Sequence, residues 1–183
     1  RNAAASFAML YDKKCAPENI DVMSFEEDGE RFSSWFLLPK SREDLEKRYE
    51  THRRLASWTH GLLGRSPDHV ASFVTGLTLK PEMFEEIHEG FGDNIVNYYK
   101  HMRHEDVCAT YTVLPPQGAR NPSMYEKAGK KVPTLRVIRE DDKGVYLNGM
   151  KMLGTSAIFC NETWVGNLLP LAPDRSRNPS PAL

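Results

Sequence analysis

The residues best suited to chemistry in this sequence form one short run, Gly64-Arg65-Ser66-Pro67-Asp68-His69. Serine is a good N-cap, proline suits the first helical position and aspartate suits the first turn, so the run predicts a helix start. Unpaired N–H groups and the helix dipole favour an anion at such an end. Arg65 adds a permanent charge with a planar fork of donors, and a histidine can donate, accept or carry a proton. The run therefore predicts a site for a phenolate, a carboxylate or a phosphate.

A structural alternative for the same run is that Arg65 pairs with an acidic residue while His69 lies on the surface. The residue types alone favour this alternative, because arginine–carboxylate pairs and exposed histidines are common in ordinary folds. Both interpretations stay open at the level of these residues.

Two further segments have residue types that suit a binding site. Side chains alternate on a strand, so Thr110 and Thr112 would share one face while Tyr111 points to the other. The run Gly154-Thr155-Ser156-Ala157 combines small and hydroxyl residues, which let a ligand approach the backbone and can hydrogen-bond a flavin ring. Ordinary strand packing and a plain turn are the alternatives. The sequence has no GxGxxG run, so a Rossmann dinucleotide site is not supported.

The histidines and cysteines do not form a recognisable ligand set. His101 and His104 stand one helical turn apart, but no third ligand is evident, so a solvated helix end is the favoured interpretation. Cys15, Cys108 and Cys160 are far apart and form no CxxC pair. We therefore expect no metal site and no disulfide framework, with the cysteines reduced as in a cytoplasmic protein.

Composition excludes several classes of function. The chain has 183 residues, of which 40% are hydrophobic and 27% charged, with a formal net charge of −1. Without a basic block, a nucleic acid gains no electrostatic support as a partner. No apolar run approaches the ~20 residues that span a bilayer, and no signal peptide is visible. The sequence therefore predicts a cytoplasmic globular protein that binds neither membrane nor nucleic acid.

The periodicity predicts an α+β protein that is helix-rich first and strand-rich later. Ser41-Arg42-Glu43-Asp44 has the spacing of a capping box and should start a long helix. The apolar face of that helix is predicted to carry Leu45, Tyr49, His52, Ala56, Thr59 and Leu63. The predicted helices cover residues 2–11, 42–63, 93–103 and segments that start at Ser66 and Pro81. The predicted strands cover residues 20–25, 31–38, 107–114, 135–139, 145–153 and 164–169, with a polar loop at 117–131. Turn residues at Glu26-Glu27-Asp28-Gly29 and at Asp141-Asp142-Lys143-Gly144 predict two hairpins.

Three stretches resemble one known family. They are Arg1-Asn2-Ala3-Ala4-Ala5-Ser6 with Leu10-Tyr11-Asp12, then the run at 64–69, and Asn148-Gly149-Met150-Lys151-Met152-Leu153-Gly154-Thr155. Their order and spacing resemble the oxygenase component of the two-component, flavin-dependent 4-hydroxyphenylacetate 3-monooxygenases. Relatives of that family hydroxylate the pyoverdine chromophore or chlorophenols. The resemblance extends from Arg1 to about Asp174.

The resemblance implies an acyl-CoA-dehydrogenase-like architecture. A helical domain at residues 1–105 would precede a β-barrel-like middle domain at 106–174, and a C-terminal helical domain would be missing. A separate reductase would supply reduced FAD, and one oxygen atom of O2 would reach the ring position ortho to a phenol hydroxyl. The intact family member would be a homo-oligomer, a dimer or a tetramer.

The resemblance also implies residue roles. Arg65, His69 and Tyr111 would be catalytic residues at the phenol, and Tyr111, Thr112, Val113, Arg120 and Thr155 would bind FAD. Family members often carry tyrosine where His69 stands and histidine where Tyr111 stands. The two residue types are exchanged here, which leaves the identity of the phenol and the route of its proton open.

The resemblance ends at the tail, residues 175–183, which we expect to be disordered. A single-base frameshift after Asp174 would account for the change, so the chain is predicted to be an inactive fragment. Two alternatives stay open, a non-catalytic gene remnant and a flavoenzyme similar to 4-hydroxybutyryl-CoA dehydratase. The dehydratase needs clustered cysteine ligands for its iron–sulfur cluster, and Cys108 has no cysteine near it in the sequence.

Overall fold

The computed structural model of the chain describes residues 2–63, 66–130 and 132–166. They belong to two compact units. The first consists of Arg1–Thr110 with Ser156–Glu162, and the second of Tyr111–Thr155 with Thr163–Leu183. The predicted tail at 175–183 and the end of the predicted strand 164–169 lie outside the described residues. The predicted domain limits, 1–105 and 106–174, stay a prediction.

The first unit is mainly helical, as the sequence predicted. Its helices are α1 (Asn2–Cys15), α2 (Ile20–Met23), α3 (Arg42–Trp58), α4 (Asp68–Leu77), α5 (Glu82–Glu85) and α6 (Phe91–His104). Its hairpin consists of β1 (Ser24–Glu27) and β2 (Glu30–Ser33), and 3-10 turns lie at Ser34–Phe36 and Ala157–Phe159. Within the described residues, no helix is long and apolar enough to cross a membrane.

The core of the first unit forms around the turn at Ser34–Phe36, which packs against α3 and α4. Trp35 and Phe36 are completely buried. Tyr99 of α6 closes over this turn, because its hydroxyl donates to the carbonyl of Phe36 at 2.7 Å. Burying a large apolar side chain stabilises the folded state by roughly 1.5–3 kcal/mol. The other large apolar side chains that are completely buried among the described residues are Leu10, Met23, Val70, Val74 and Met102.

Helix α3 starts at the predicted capping box but ends earlier than predicted. The Asp44 amide donates to Ser41 Oγ at 3.1 Å, and the Ser41 amide donates to Asp44 Oδ2 at 2.9 Å. The helix stops at Trp58 because His60 and Gly61 adopt left-handed φ angles of 51° and 70°. The prediction that the helix would continue to residue 63 is therefore wrong.

The buried face of α3 also differs from the predicted one. Leu45 and Tyr49 are 58% and 69% exposed, whereas Thr51 and Leu55 are buried. Thr51 can be buried because its hydroxyl donates to the carbonyl of Val22 at 3.0 Å. A buried polar side chain whose hydrogen bond is satisfied gives no apolar signal in the sequence.

The first hairpin is present, but its entry is helical. Residues 20–23 were predicted to be strand, yet the amides of Val22 and Met23 both donate to the carbonyl of Asn19, which makes a helical turn. The hairpin turn lies at Asp28 and Gly29, whose φ angles of 55° and 81° match the twist of the flanking strands. The predicted second strand is also shorter, because the chain turns into the core at Ser34.

The second unit contains the second predicted hairpin. Strands β4 (Arg136–Asp141) and β5 (Gly144–Asn148) pair antiparallel, and every residue of β5 is exposed. Gly149 follows with φ 128°, and a Cβ there would lie 2.2 Å from the carbonyl oxygen of Thr134, so this position requires glycine. The predicted polar loop instead holds a 3-10 turn at Gln117–Arg120 and α7 (Pro122–Lys127), since proline at the first helical position favours a helix.

Strands β3 (Ala109–Thr112) and β6 (Glu162–Val165) pair with each other, and each runs from the first unit into the second. The predicted strand at 107–114 is thus confirmed in its central part. Helices and strands together make an α+β fold, as predicted. The sheets among the described residues are two-stranded, and the described residues form no closed β-barrel.

Candidate functional site

The predicted helix start at Ser66-Pro67-Asp68 is confirmed. Helix α4 begins at Asp68, with Pro67 rather than Ser66 at the N-cap position. His69 lies in the first turn and is exposed. Gly64 and Arg65 lie outside the described residues, so the role of Arg65 stays a prediction from the sequence.

A cavity of about 220 Å³ lies beside this helix start. Ser66 lines it from the chain that enters α4, and His52, Leu55 and Thr59 line it from α3. Leu10 of α1 contributes an apolar wall. The cavity therefore combines apolar surface with a few polar groups next to the predicted anion site, which is the usual composition of a small-molecule pocket.

His52 and Asp68 form a hydrogen-bonded pair at the edge of this cavity. His52 Nδ1 lies 2.8 Å from Asp68 Oδ2, and Asp68 is only 7% exposed. Burial alone would raise the pKa of Asp68, but the hydrogen bonds from His52 and Ser66 and the charge of His52 together outweigh it and hold the pKa below its usual value. Asp68 is therefore ionised at neutral pH, and it fixes the orientation of the His52 ring.

Arg48 of α3 contributes hydrogen bonds that hold α4 in place. Its guanidinium donates to the carbonyl of Leu37 at 2.8 Å and to Ser72 Oγ at 2.8 Å. It thereby connects α3 to the second turn of α4 and to the segment that follows the 3-10 turn. Arg48 and the His52–Asp68 pair together fix the start of α4 on α3.

We expect Asp68→Asn to lower the free energy of unfolding by about 1–2 kcal/mol at neutral pH, because a charged partner of His52 is lost. The pKa of Asp68 is lowered in the folded state, so its contribution is present above the unfolded value and is lost as the pH falls through the folded value. The difference between the parent and the variant should therefore shrink below about pH 4.

Urea unfolding of both proteins between neutral and acidic pH measures this difference. The matched control is Asp93→Asn, because Asp93 also lies in a first helical turn but is exposed. The control should change the free energy of unfolding by about 0.5 kcal/mol or less. A difference for Asp68→Asn that does not depend on pH would contradict the assigned pair.

The predicted flavin residues lie in the second unit and are partly assembled there. Tyr111, Thr112 and Val113 follow one another and are half-buried, while Thr155 is exposed. The Met152 amide donates to the carbonyl of Leu114 at 2.9 Å, and Lys151 Nζ donates to the carbonyl of Val113 at 3.2 Å. These bonds hold the segment that leads to Thr155 beside the end of β3. The structure does not describe the side chain of Arg120.

The histidines that have ligand-like spacing are engaged with acidic residues. His101 Nε2 lies 3.0 Å from Glu162 Oε1, and His104 Nδ1 lies 3.3 Å from Glu105 Oε1. Among the described residues, no three histidine, cysteine or acidic side chains are grouped so that they could hold a metal ion.

The predicted catalytic residues belong to different units, His69 to the first and Tyr111 to the second. That His69 and Tyr111 face the same pocket stays a prediction. Sequence reasoning missed the His52–Asp68 pair, since His52 was assigned only to a predicted helix face and Asp68 only to a helix start. The two residues are 16 positions apart in the sequence, and no local pattern connects them.

The comparison with protein families decides the family of the chain. The family model described as "4-hydroxyphenylacetate 3-hydroxylase N terminal" matches residues 1–178. The chain belongs to this family. The resemblance inferred from the motifs is thereby confirmed.

Individual members of the family agree with this assignment. The 4-hydroxyphenylacetate 3-monooxygenase oxygenase component of Thermus thermophilus is 32% identical over 155 residues, which are 85% of this chain and 31% of that protein. The crystal structure of an oxygenase component (HpaB) complexed with FAD superposes with a TM-score of 0.80 at 29% identity, over 94% of this chain and 35% of that one. The chain thus spans about a third of the length of these 4-hydroxyphenylacetate 3-hydroxylase relatives.

A third similarity concerns the fold alone. An archaeal 4-hydroxybutyryl-CoA dehydratase from N. maritimus superposes with a TM-score of 0.72 at 20% identity, over 91% of this chain and 33% of that one. This chain and the dehydratase therefore share the fold of this region.

Proposed function

We propose that this chain is the N-terminal part of the oxygenase component of a two-component phenol hydroxylase. It would use reduced FAD and O2 to introduce one oxygen atom ortho to a phenol hydroxyl. The observation that carries the proposal is the family match over residues 1–178. The hydroxylase is favoured over a dehydratase because the Thermus thermophilus oxygenase component is 32% identical to this chain, whereas the dehydratase is 20% identical.

In this proposal the phenol occupies the cavity beside Ser66, and Arg65 holds it as the phenolate. Electrophilic oxygen transfer is easier to an electron-rich phenolate than to the neutral phenol, so a fixed positive charge next to the hydroxyl favours the reaction. His69 would hold or move the phenol proton, and Tyr111 is proposed to assist it. The mainly apolar walls contributed by Leu10 and Leu55 would exclude water from the reacting ring.

The His52–Asp68 pair would act as a positioning device for this site. Asp68 stands three residues after Arg65, and its carboxylate is fixed by the 2.8 Å contact with His52. In this role Asp68 would help to place Arg65 at the phenol. Precise placement of a charged donor matters, because a misplacement of about 1 Å can cost about 100-fold in rate.

Tyr111, Thr112, Val113, Arg120 and Thr155 would form the wall against which FAD binds. The described part of this wall fits a flavin ring in its chemistry, because it offers half-buried tyrosine and valine side chains and hydroxyl groups on Thr112 and Thr155. When bound, reduced FAD would supply the activation of O2. The residues of this chain would orient the ring and exclude water from it.

The oxygenase is proposed to act together with a second protein and two small molecules. A separate flavin reductase would deliver reduced FAD, and the phenolic substrate and O2 would complete the reaction. The oxygenase would assemble as a homo-oligomer in the cytoplasm. This chain by itself is proposed to be inactive, because it corresponds to about a third of the length of its relatives, with 31% of the Thermus thermophilus protein covered.

A chimeric enzyme tests the proposal. Residues 1–174 of this chain would replace the matching segment of the Thermus thermophilus oxygenase component, and the chimera would be assayed with a flavin reductase, FAD and a panel of phenols. Product analysis by mass spectrometry and NMR should show a catechol formed from 4-hydroxyphenylacetate or a chlorophenol. The unmodified Thermus thermophilus protein is the positive control. A folded chimera that binds FAD but hydroxylates no phenol would contradict the proposed function.

A further inference from the structure

Two cysteines that are 52 residues apart in the sequence lie side by side in the first unit. The Sγ atoms of Cys108 and Cys160 are 3.5 Å apart. The backbone fixes this approach, because the Asn161 amide donates to the carbonyl of Cys108 at 2.8 Å and the Cys108 amide donates to Asn161 Oδ1 at 3.1 Å. These two hydrogen bonds hold the segments that carry the two cysteines next to each other.

The surroundings also hold the two thiols in place. Cys108 is buried, and Cys160 is half-buried with its sulfur 3.3 Å from the carbonyl oxygen of Ser156. The ring of Phe159 packs on Phe7 of α1 with centroids 5.0 Å apart, which fixes the residue before Cys160. A disulfide bond length of about 2.05 Å requires the two sulfur atoms to approach each other by about a further 1.5 Å.

We propose that Cys108 and Cys160 are a reversible modification site, which a small peroxide converts into an intramolecular disulfide. One thiol attacks hydrogen peroxide and becomes a sulfenic acid while one water leaves. The second thiol attacks that sulfur, the S–S bond forms, and a second water leaves. The two sulfurs lose two electrons and two protons in total, and the peroxide is reduced to two waters. The half-buried Cys160 is the thiol that peroxide reaches first.

The disulfide would close a covalent loop around residues 109–159. A cross-link over a loop of this length stabilises the folded chain, mainly because it restricts the unfolded chain. Burial and the contact with Cys108 raise the pKa of the Cys160 thiol, so Cys160 is protonated at neutral pH. Oxidation should accordingly become faster as the pH rises.

The test uses the whole 183-residue chain with Cys15→Ser, which removes the exposed third thiol. After hydrogen peroxide treatment under native conditions, intact mass spectrometry should show the loss of two hydrogen atoms. Peptide mapping should show a Cys108–Cys160 cross-link that dithiothreitol reverses. The midpoint of thermal unfolding should rise by several degrees in the oxidised protein.

Two matched variants make the result specific. Cys160→Ser and Cys108→Ser in the same background should each abolish the cross-link, and because Cys160 is half-buried its variant leaves the core unchanged. Oxidation of either cysteine to a sulfinic acid without a cross-link in the parent would overturn the proposal. A cross-link that forms only after denaturation would overturn it as well, because the folded geometry would then play no part.

Discussion

Replacement of Arg65 with alanine in the chimeric enzyme is expected to weaken the binding of the phenol and its hydroxylation ten- to a hundred-fold. The expectation follows from the loss of a charge-assisted hydrogen bond to the phenolate, which is worth about 1.5–3 kcal/mol. A tenfold change in an equilibrium constant corresponds to about 1.4 kcal/mol. The consumption of reduced FAD and O2 should continue, because Arg65 is assigned to the phenol and not to the flavin.

Two variants distinguish this role from a general loss of charge. Arg65→Lys keeps the positive charge but loses the planar fork of donors, so it should retain part of the affinity. Arg53→Ala removes an exposed arginine whose guanidinium pairs with Glu50 on the surface of α3, and it should leave binding unchanged. Calorimetric titration measures the affinity of the parent and of the three variants for the phenol. An Arg65→Ala variant that binds the phenol as tightly as the parent would exclude the role assigned to Arg65.

The 183-residue chain by itself is expected to show no saturable binding of FAD at micromolar FAD concentrations. Of the residues predicted to bind FAD, Tyr111 and Val113 are half-buried and Thr155 is exposed. An isoalloxazine ring on such a surface buries little apolar area, and this does not offset the entropy lost on binding. Large apolar side chains of the first unit are also exposed, namely Leu79, Met83 and Ile87. We therefore expect self-association as well.

Fluorescence titration with oxidised FAD and anaerobic titration with reduced FAD measure the affinity, and light scattering measures the size of the particles. The FAD-binding Thermus thermophilus relative or the chimera serves as the positive control for both titrations. A monodisperse chain that binds FAD with micromolar affinity would contradict this expectation. It would mean that residues 1–183 carry a complete flavin site.

Local signals in the sequence predicted most of the elements. The Ser41–Asp44 capping box marked the start of α3, and the turn residues at Asp28 and Gly29 marked the first hairpin, since both depend on neighbours in the chain. The end of α3 is predicted at residue 63, whereas His60 and Gly61 adopt the left-handed conformation earlier and end the helix at Trp58. Alternative stops a few residues apart are equivalent in local chemistry, and tertiary packing decides between them.

Contacts between residues that are far apart in the sequence could not be predicted from local sequence patterns. The buried face of α3 was misassigned because Thr51 is accommodated by Val22, which is 29 residues away. The His52–Asp68 pair and the Cys108–Cys160 approach likewise join segments that no periodicity links. The sequence thus indicated the start of α4 as a candidate anion site, while the groups that position it became apparent only in the folded chain.

The most direct test of the proposed function is the origin of the oxygen atom in the product. The chimeric enzyme would be supplied with reduced FAD and a phenol under ¹⁸O2 in ordinary water, and the product would be analysed by mass spectrometry with NMR assignment of the new hydroxyl. We expect one ¹⁸O atom at the position ortho to the original hydroxyl, and loss of most of this product in Arg65→Ala. A hydroxylated product whose new oxygen comes from water, or a product in which a C–O bond is broken by dehydration, would contradict it.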